Sequence, residues 1–455
     1  MANSLRLFLK CSFMLVSSYY TLPFLVKLCV GLVNNYFATS VSFNMDTLFI
    51  NWNTSFPAIT VCEIYNGEKI WDMSEQYFGT DHDLQMDDFV GEVVFFRGTC
   101  ATCDKCDYMK CPQNFTELLS HFRGKCAQLL LHCRYKNQYF NCCDEFLPIH
   151  TEYGICFAFN SNQARKSAQM QFASSRETGP GILTFEVSAD IQLHIHPSID
   201  IPLPYFESTI RETVLLGSTK EIIINVMEVY NHPSVYQLTL DQRRCRFSNE
   251  HTDWGLEVGL YEFYSFSTCI VECGLKAQLE HCNCSSHFLA PAMQSQSGSV
   301  PMCDYRGLSC LTKYYEDIQL ERKSCNCMSS CDEPEYNIVY SSPDGESESD
   351  MEVSQVHIAL IELPTQRYIR RVTKAPLDLL ISVGGIAGLF FNVSIVRLIE
   401  AIFLIKEYNW YGLWSRIGVY LWTMFRSISF NIALIYFAIP LTHKYVHKYV
   451  YTKRP

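Results

Sequence analysis

The chain has 455 residues, 48% of them hydrophobic, and a formal net charge of −11. That length accommodates two or three domains with ordinary cores. The net acidity argues against nucleic-acid binding, which needs clustered Lys and Arg to neutralise phosphates.

In chain order, the first feature is an apolar region from Leu5 to Phe37 whose only charges are Arg6, Lys10 and Lys27. It is long enough for one membrane-spanning helix. A secretory signal peptide also places basic residues before an apolar run, but the apolar character here outlasts one. We therefore expect a short cytoplasmic N-terminus over 1–10 and a first transmembrane region over 11–37.

The middle of the chain is dominated by cysteine. Of 22 cysteines, 20 lie between Cys62 and Cys331, and only Cys11 and Cys29 precede them. Such density implies an oxidising compartment and up to ten disulfides, whose pairing spacing alone does not reveal. Cys103-Asp-Lys-Cys106 and Cys325-Asn-Cys327 with Cys331 invite comparison with zinc sites. A zinc site needs four ligands at restricted spacings, and the many further cysteines favour disulfides, so neither metal nor cofactor is expected. The sequons at Asn53, Asn114 and Asn283 are candidate glycosylation sites, and the formal match at Asn392 is discounted because it falls in an apolar segment. No Gly-x-Ser-x-Gly elbow or His-Glu-x-x-His pair occurs, so no catalytic residues are expected and the chain does not read as an enzyme. His194, His196 and His232 read as surface or packing residues.

Cys62 to Cys156 reads as loop and short helix. Gly181–Leu193 and Glu221–Val229 are rich in β-branched residues with partial alternation and predict strands. His232-Pro233 predicts a turn after the second of these. Thr268–Cys331, with nine cysteines, should pin helices or strands covalently. Ser341–Asp350 reads as an exposed loop, and Val353–Glu362 as a further strand. Residues 38–375 thus form one extracellular disulfide-rich domain.

Leu379 to Val396 then contains no charge, and apolar character resumes after Arg397 and Glu400 as far as Ile405. A helix over that range would be about 40 Å long, enough to cross a bilayer. We place a second transmembrane helix at 376–405. Positive residues outside both spans (Arg6 and Lys10; Lys406 and Arg416) put both termini in the cytoplasm, as disulfide chemistry independently requires of the block between them. In the tail, 406–455, the apolar stretch near 412–441 ends at Pro440 and reads as an interfacial helix. A third span there would put the basic C-terminus outside.

Several ordered motifs make the chain similar to the degenerin and epithelial sodium channel superfamily, with the insect pickpocket branch most alike. Phe56-Pro-Ala-Ile-Thr-Val-Cys62 resembles the segment after the first span. Tyr153-Gly-Ile-Cys156-Phe-Ala-Phe-Asn160 and Gln242-Arg-Arg-Cys245-Arg-Phe247 resemble later extracellular segments. Cys269, Cys273, Cys282, Cys284 and Cys303 follow the family's cysteine ladder, and Cys325-Asn-Cys327-Met-Ser-Ser-Cys331 with Tyr336 matches its close. Gly384-Gly385-Ile-Ala-Gly388-Leu-Phe390 leads into Ser394 and Glu400 as in the pore-forming second span.

The resemblance implies an α+β membrane protein, with palm, β-ball, knuckle, finger and thumb standing above two transmembrane helices. The finger would lie between Cys62 and Cys156, and the thumb within Cys245 to Cys331. It also implies a trimeric cation channel permeable to Na+, often amiloride-sensitive, with the lipid bilayer and related channel subunits as partners. Gly384, Gly385, Gly388, Asn392, Ser394 and Glu400 would form the pore and filter. Asp378 would attract cations at the outer mouth or cap the helix, and Glu400 would attract ions or pair with Arg397. The chain departs from the family in three places. Asn392 stands where the Gly-x-Ser filter has glycine, Arg397 stands where a small polar residue is common, and no His-Gly pair precedes the first span. These departures predict assembly with related subunits; the alternative is a non-conducting two-pass receptor or regulatory subunit.

Overall fold

The computed structural model describes residues 19, 23–24, 26–38, 40–48, 52–80, 83–166, 172–204, 210–250, 260–291, 300–332, 334–343, 353–374 and 376–391. The chain divides into two units: Met1–Ser42, Ser234–Arg243 and Arg371–Pro455 form the smaller, Phe43–Pro233 and Arg244–Arg370 the larger.

The strands, in order, are β1 (Val41–Asp46), β2 (Thr54–Ser55), β3 (Ala58–Glu63), β4 (Leu130–Tyr135), β5 (Gln138–Tyr139), β6 (Phe146–Thr151), β7 (Gly154–Phe159) and β8 (Ala173–Ser174). They continue as β9 (Ile182–Val187), β10 (Ile191–His196), β11 (Ile210–Val214), β12 (Thr219–Met227), β13 (Val229–Asn231), β14 (Glu335–Ser341), β15 (Ser354–Leu360) and β16 (Arg367–Val372). The longer helices are α1 (26–38), α2 (Gly67–Phe78), α3 (Leu84–Val94), α4 (Phe115–Phe122), α5 (Phe266–Cys282), α6 (Tyr305–Lys313), α7 (Tyr315–Ser324) and α8 (Pro376–Phe391).

Two sheets organise the larger unit. One runs β11-β10-β3-β7-β6 and is antiparallel throughout; the other runs β14-β12-β15-β9-β4-β5, with β12 and β15 parallel. Strand periodicity explains how they share a core. On β12, Lys220, Ile222, Ile224 and Val226 are buried and alternate with more exposed neighbours. Ile222, Ile224 and Val226 meet Val356, Ile358 and Leu360 of β15, Phe185 of β9, and Ile191, Leu193 and Ile195 of β10 in one cluster. Burying each such side chain contributes about 1.5–3 kcal/mol.

The five-stranded sheet is covered on both faces, which is why all of β3 is buried. Ile59 and Val61 face the shared core, whereas Cys62 joins Cys156 and Ala158 in a second cluster with Ile270, Val271 and Leu275 of α5. A third cluster is helical. Phe89, Val90, Val93 and Val94 of α3 pack with Phe115, Leu118 and Phe122 of α4, and with Leu308 and Leu311 of α6. The spacings within α3 and α4 are those of one apolar helix stripe.

Three expectations need revision. The single strand over Gly181–Leu193 is two, β9 and β10, which belong to different sheets. The chain crosses between them at Ser188–Asp190, and Asp190 holds the crossing by accepting from Asn66 Nδ2 (2.9 Å) and Leu216 N (2.8 Å). The run Glu221–Val229 likewise breaks at Glu228, where β12 ends before β13 begins. Cys62–Cys156, read as loop and short helix, also contains β4, β6 and β7, whose cysteines and Pro148 mask their alternation.

In the smaller unit, α1 and α8 carry outward-facing apolar residues, among them Val26, Val30 and Phe37, and Leu377, Leu380 and Ile381. Among the described residues no helix is long and apolar enough to cross a membrane. The expected interfacial segment near 412–441 lies outside the described residues.

Candidate functional site

The residues singled out for the pore follow β16 in the chain. Pro376 opens α8, where a missing N–H costs nothing, and Asp378 lies exposed in its first turn, its carbonyl accepting from Ser382 Oγ at 2.7 Å. Gly384, Gly385 and Gly388 lie on this helix, the first and last one turn apart. A Cβ added at Gly385 would meet nothing within 4 Å. Asn392, Ser394, Arg397 and Glu400 lie outside the described residues.

The two helical segments of the smaller unit are stitched at one end. Buried Ser40 donates its hydroxyl to Tyr36 O (2.6 Å), satisfying a carbonyl at the end of α1, and Ser40 O accepts from Thr373 N (2.9 Å), three residues before α8.

In the larger unit, the cysteines from Cys245 to Cys331 frame three helices. Ser265 caps α5: its Oγ accepts from Thr268 N, and Thr268 Oγ1 accepts from Ser265 N at 2.8 Å. Cys269 and Cys273, one turn apart on α5, bond to Cys327 and Cys325, so two rungs tie α5 to the chain leaving α7. Cys282–Cys310 and Cys284–Cys303 fasten the other end of α5 to α6 and its approach. Beside the second rung, Arg322 of α7 is 2% exposed and lies across Gly274, where a Cβ would stand 2.5 Å from Arg322 Nη2. Arg322 pairs with part-buried Glu152, in the turn between β6 and β7.

The Tyr153-Gly154-Ile155-Cys156 motif now has a physical basis. Gly154 adopts φ +98°, and a side chain there would strike Arg123, whose guanidinium donates to Tyr153 O (2.6 Å) and Glu63 O (3.0 Å). Cys156 closes onto Cys62 of β3. Arg123 itself is lowered to about 10 by burial and so stays charged at neutral pH.

The base of the α5–α7 region is gripped by the strands nearest α8 in the chain. Cys245–Cys331 closes this base, and Cys331 O accepts from Asn231 Nδ2 on β13 (2.8 Å) and from Arg370 Nη1 on β16 (3.2 Å). At the opposite end, Asp107 accepts from Tyr305 Oη (2.7 Å) and Arg306 (3.2 Å) of α6, and Thr312 Oγ1 accepts from Cys100 N (2.7 Å). Hydrogen bonds from Tyr305 and then Arg306 hold the Asp107 carboxyl below its ordinary range.

The structure treats the remaining candidates unevenly. Asn53, Asn114 and Asn283 are all exposed. Asn114 caps α4 by accepting from Glu117 N (3.2 Å), and Asn283 ends α5 at φ 54°, with Ser285 of its sequon buried. His194 and His196 are buried packing residues, and burial lowers His194 to about 3. The Arg322–Glu152 pair and the Arg123 clasp carry no motif or periodicity that would have singled them out.

Comparison with known proteins adds a further finding. The family described as "Amiloride-sensitive sodium channel" matches residues 5–404. Pickpocket protein 11 of Drosophila melanogaster is 25% identical over 295 residues, covering 61% of this chain and 54% of its own. The sodium channel protein Nach of Drosophila ananassae is 21% identical over 314 residues, covering 63% and 58%. The bile acid-sensitive ion channel of Rattus norvegicus is 24% identical over 421 residues, covering 83% and 78%. The chain thus spans a little over half the length of the first two. A solved proton-activated chloride channel aligns with a TM-score of 0.26 and 7% identity, covering 87% of this chain and 99% of that one, a likeness too slight to bear on the fold.

Proposed function

The chain belongs to the amiloride-sensitive sodium channel family, and from that premise we propose that it is a subunit of a trimeric, sodium-permeable cation channel gated through its extracellular domain. The family is one of ion channels, not enzymes. The observation that carries the proposal is the family match over residues 5–404, which takes in the cross-linked domain and the glycine-bearing helix α8 together.

In this reading both termini are cytoplasmic, residues 11–37 and 376–405 span the plasma membrane, and 38–375 stand outside. The six-stranded sheet serves as palm, the five-stranded sheet as β-ball, and α5–α7 as thumb. A stimulus displaces the thumb. Its disulfides limit how much of that displacement is absorbed internally, and the Arg322–Glu152 pair ties it to the β-ball. Asn231 and Arg370 hold the carbonyl of Cys331, and β16 continues along the chain toward α8. Movement at the thumb base therefore reaches a strand that leads into the pore helix.

Gly384, Gly385 and Gly388 then permit close approach of helices from three subunits. Asn392-Val393-Ser394 forms the constriction, and Glu400 draws cations toward the inner mouth. An amide at the filter and Arg397 beyond it favour a second role, as a regulatory subunit that conducts poorly by itself. Voltage-clamp recording with and without a related subunit tests the pair of readings. We expect little current alone, and a sodium current on co-expression whose selectivity changes with Asn392→Gly. Absence of any effect of this chain or its variant, in any subunit combination, would refute the channel reading.

A further inference from the structure

A cleft of about 400 Å³ opens in the larger unit between the end of α4, the β6–β7 hairpin and the segment following α5. Leu119, Ile155, Phe157, Phe288 and Pro291 give it apolar walls. A volume of that size is within the range that holds small organic ligands.

Thr116, Ser120 and His150 are among its polar groups, and its charged groups are few and of one sign. Lys125 and Arg123 line it, and among the described residues no Asp or Glu does. Exposed Lys125 can swing to follow a ligand, while Arg123 is fixed by its bonds to Glu63 O and Tyr153 O. His287, 2% exposed, also lines the cleft; its Nε2 bonds to Val93 O at 2.8 Å, which makes Nε2 the protonated nitrogen. Nδ1 is then a lone acceptor, and among the described residues it has no hydrogen-bond partner. Burial lowers His287 to about 4, so the ring stays neutral and Nδ1 keeps its lone pair at physiological pH. A buried acceptor without a donor costs free energy that a suitable ligand would recover.

We propose that this cleft binds a small amphipathic organic acid carrying an N–H or O–H donor. Its apolar body lies against Phe157 and Phe288, its carboxylate is drawn to Lys125 and Arg123, and its donor meets His287 Nδ1, which is shielded without the ligand and is reached by a small side-chain shift. Neither a cation nor a purely apolar molecule satisfies all three features. The ligand would contact the end of α4, the β-hairpin that carries Glu152 and the loop between α5 and α6, three elements otherwise joined by fixed contacts.

N-acetyl-phenylalanine supplies an aromatic body, an N–H and a carboxylate, and its methyl ester lacks only the charge. Saturation-transfer NMR on the full chain in nanodiscs reads binding directly, whether or not the chain conducts. The acid should bind saturably in the millimolar range or tighter. The acid on Lys125→Glu should bind at least about tenfold more weakly, as loss of one charge-assisted contact and its replacement by a like charge imply. The ester, which loses both charge-assisted contacts, should bind more weakly than the acid by at least as much. His287→Phe should weaken the acid as well, and Lys125→Glu, at an exposed position, keeps the test valid if that buried variant fails to fold. Equal binding of acid and ester, indifference to Lys125→Glu, or no saturable binding of the acid would overturn the proposal.

Discussion

At the scale of single residues, the pairing of Arg322 with Glu152 carries the sharpest prediction. Arg322 is buried and the Glu152 side chain is 9% exposed, so removing one partner strands the other where little water reaches it. Arg322→Ala should cost about 3–5 kcal/mol. Arg322→Met with Glu152→Gln should recover much of that, because no charge is then stranded. Gly274→Ala should also destabilise, by about 1–3 kcal/mol, since its methyl would overlap Arg322. Thermal unfolding of the purified chain reads all three. An Arg322→Ala protein as stable as wild type would show that the pair does not hold the helices to the sheet.

Two buried histidines predict how stability varies with pH. Burial lowers His194 to about 3 and His287 to about 4, from ordinary values near 6.5. Below 6.5 the unfolded chain takes up protons that the folded chain refuses, so stability rises with pH. Each histidine's contribution is complete above pH 6.5 and is lost progressively as pH falls toward 4 for His287 and 3 for His194. The slope is about 1.4 kcal/mol per pH unit for each ring. His194→Gln and His287→Gln should each flatten the dependence of the unfolding midpoint between pH 6.5 and 4. An unchanged slope would contradict the burial argument. Asp107, held below its ordinary range by hydrogen bonds from Tyr305 and then Arg306, adds no response of its own above the ordinary carboxylate range.

At the scale of elements, the two rungs between α5 and the chain beyond α7 act together. Cys269–Cys327 and Cys273–Cys325 close nested loops with separations of 58 and 52 residues. With either one intact, the other closes only a short additional loop, so removing one should cost about 2–3 kcal/mol. Removing both releases the long loop and should cost more than twice the single loss. Protease resistance and thermal midpoints of the two Cys→Ala pairs and their combination measure this. Simple additivity would mean that the rungs restrain independent motions.

The same elements show what a sequence discloses. The strand character of Glu221–Val229 and Val353–Glu362 was legible because one face of each is buried and the alternation survives. The break at Ser188–Asp190 was not, because both flanking strands are apolar and only the sheet assignment separates them. The cysteine block announced its disulfides through density alone, while the pairing depends on which helices lie side by side. The motif residues Tyr153, Gly154 and Cys156 could be recognised but not explained without Arg123, which comes from a different helix end. Arg322 and Glu152, 170 residues apart, carried no local signal because each reads as an ordinary surface charge. Of the pore candidates, Asp378 and the three glycines have a place on α8, while Asn392, Ser394 and Glu400 rest on sequence position alone.

At the scale of the whole molecule, a disulfide-braced domain is followed in the chain, after β16, by helix α8, which the proposal assigns to a conduction path. The proposal stands or falls on whether this chain itself lines that path, rather than attending a pore made by others. Ser394→Cys, co-expressed with a related subunit, tests this with a charged methanethiosulfonate reagent applied from outside during recording. If the chain lines the pore, current through the variant should fall rapidly and irreversibly while wild-type current does not. Unaltered current through channels whose introduced thiols are shown to be labelled would contradict it.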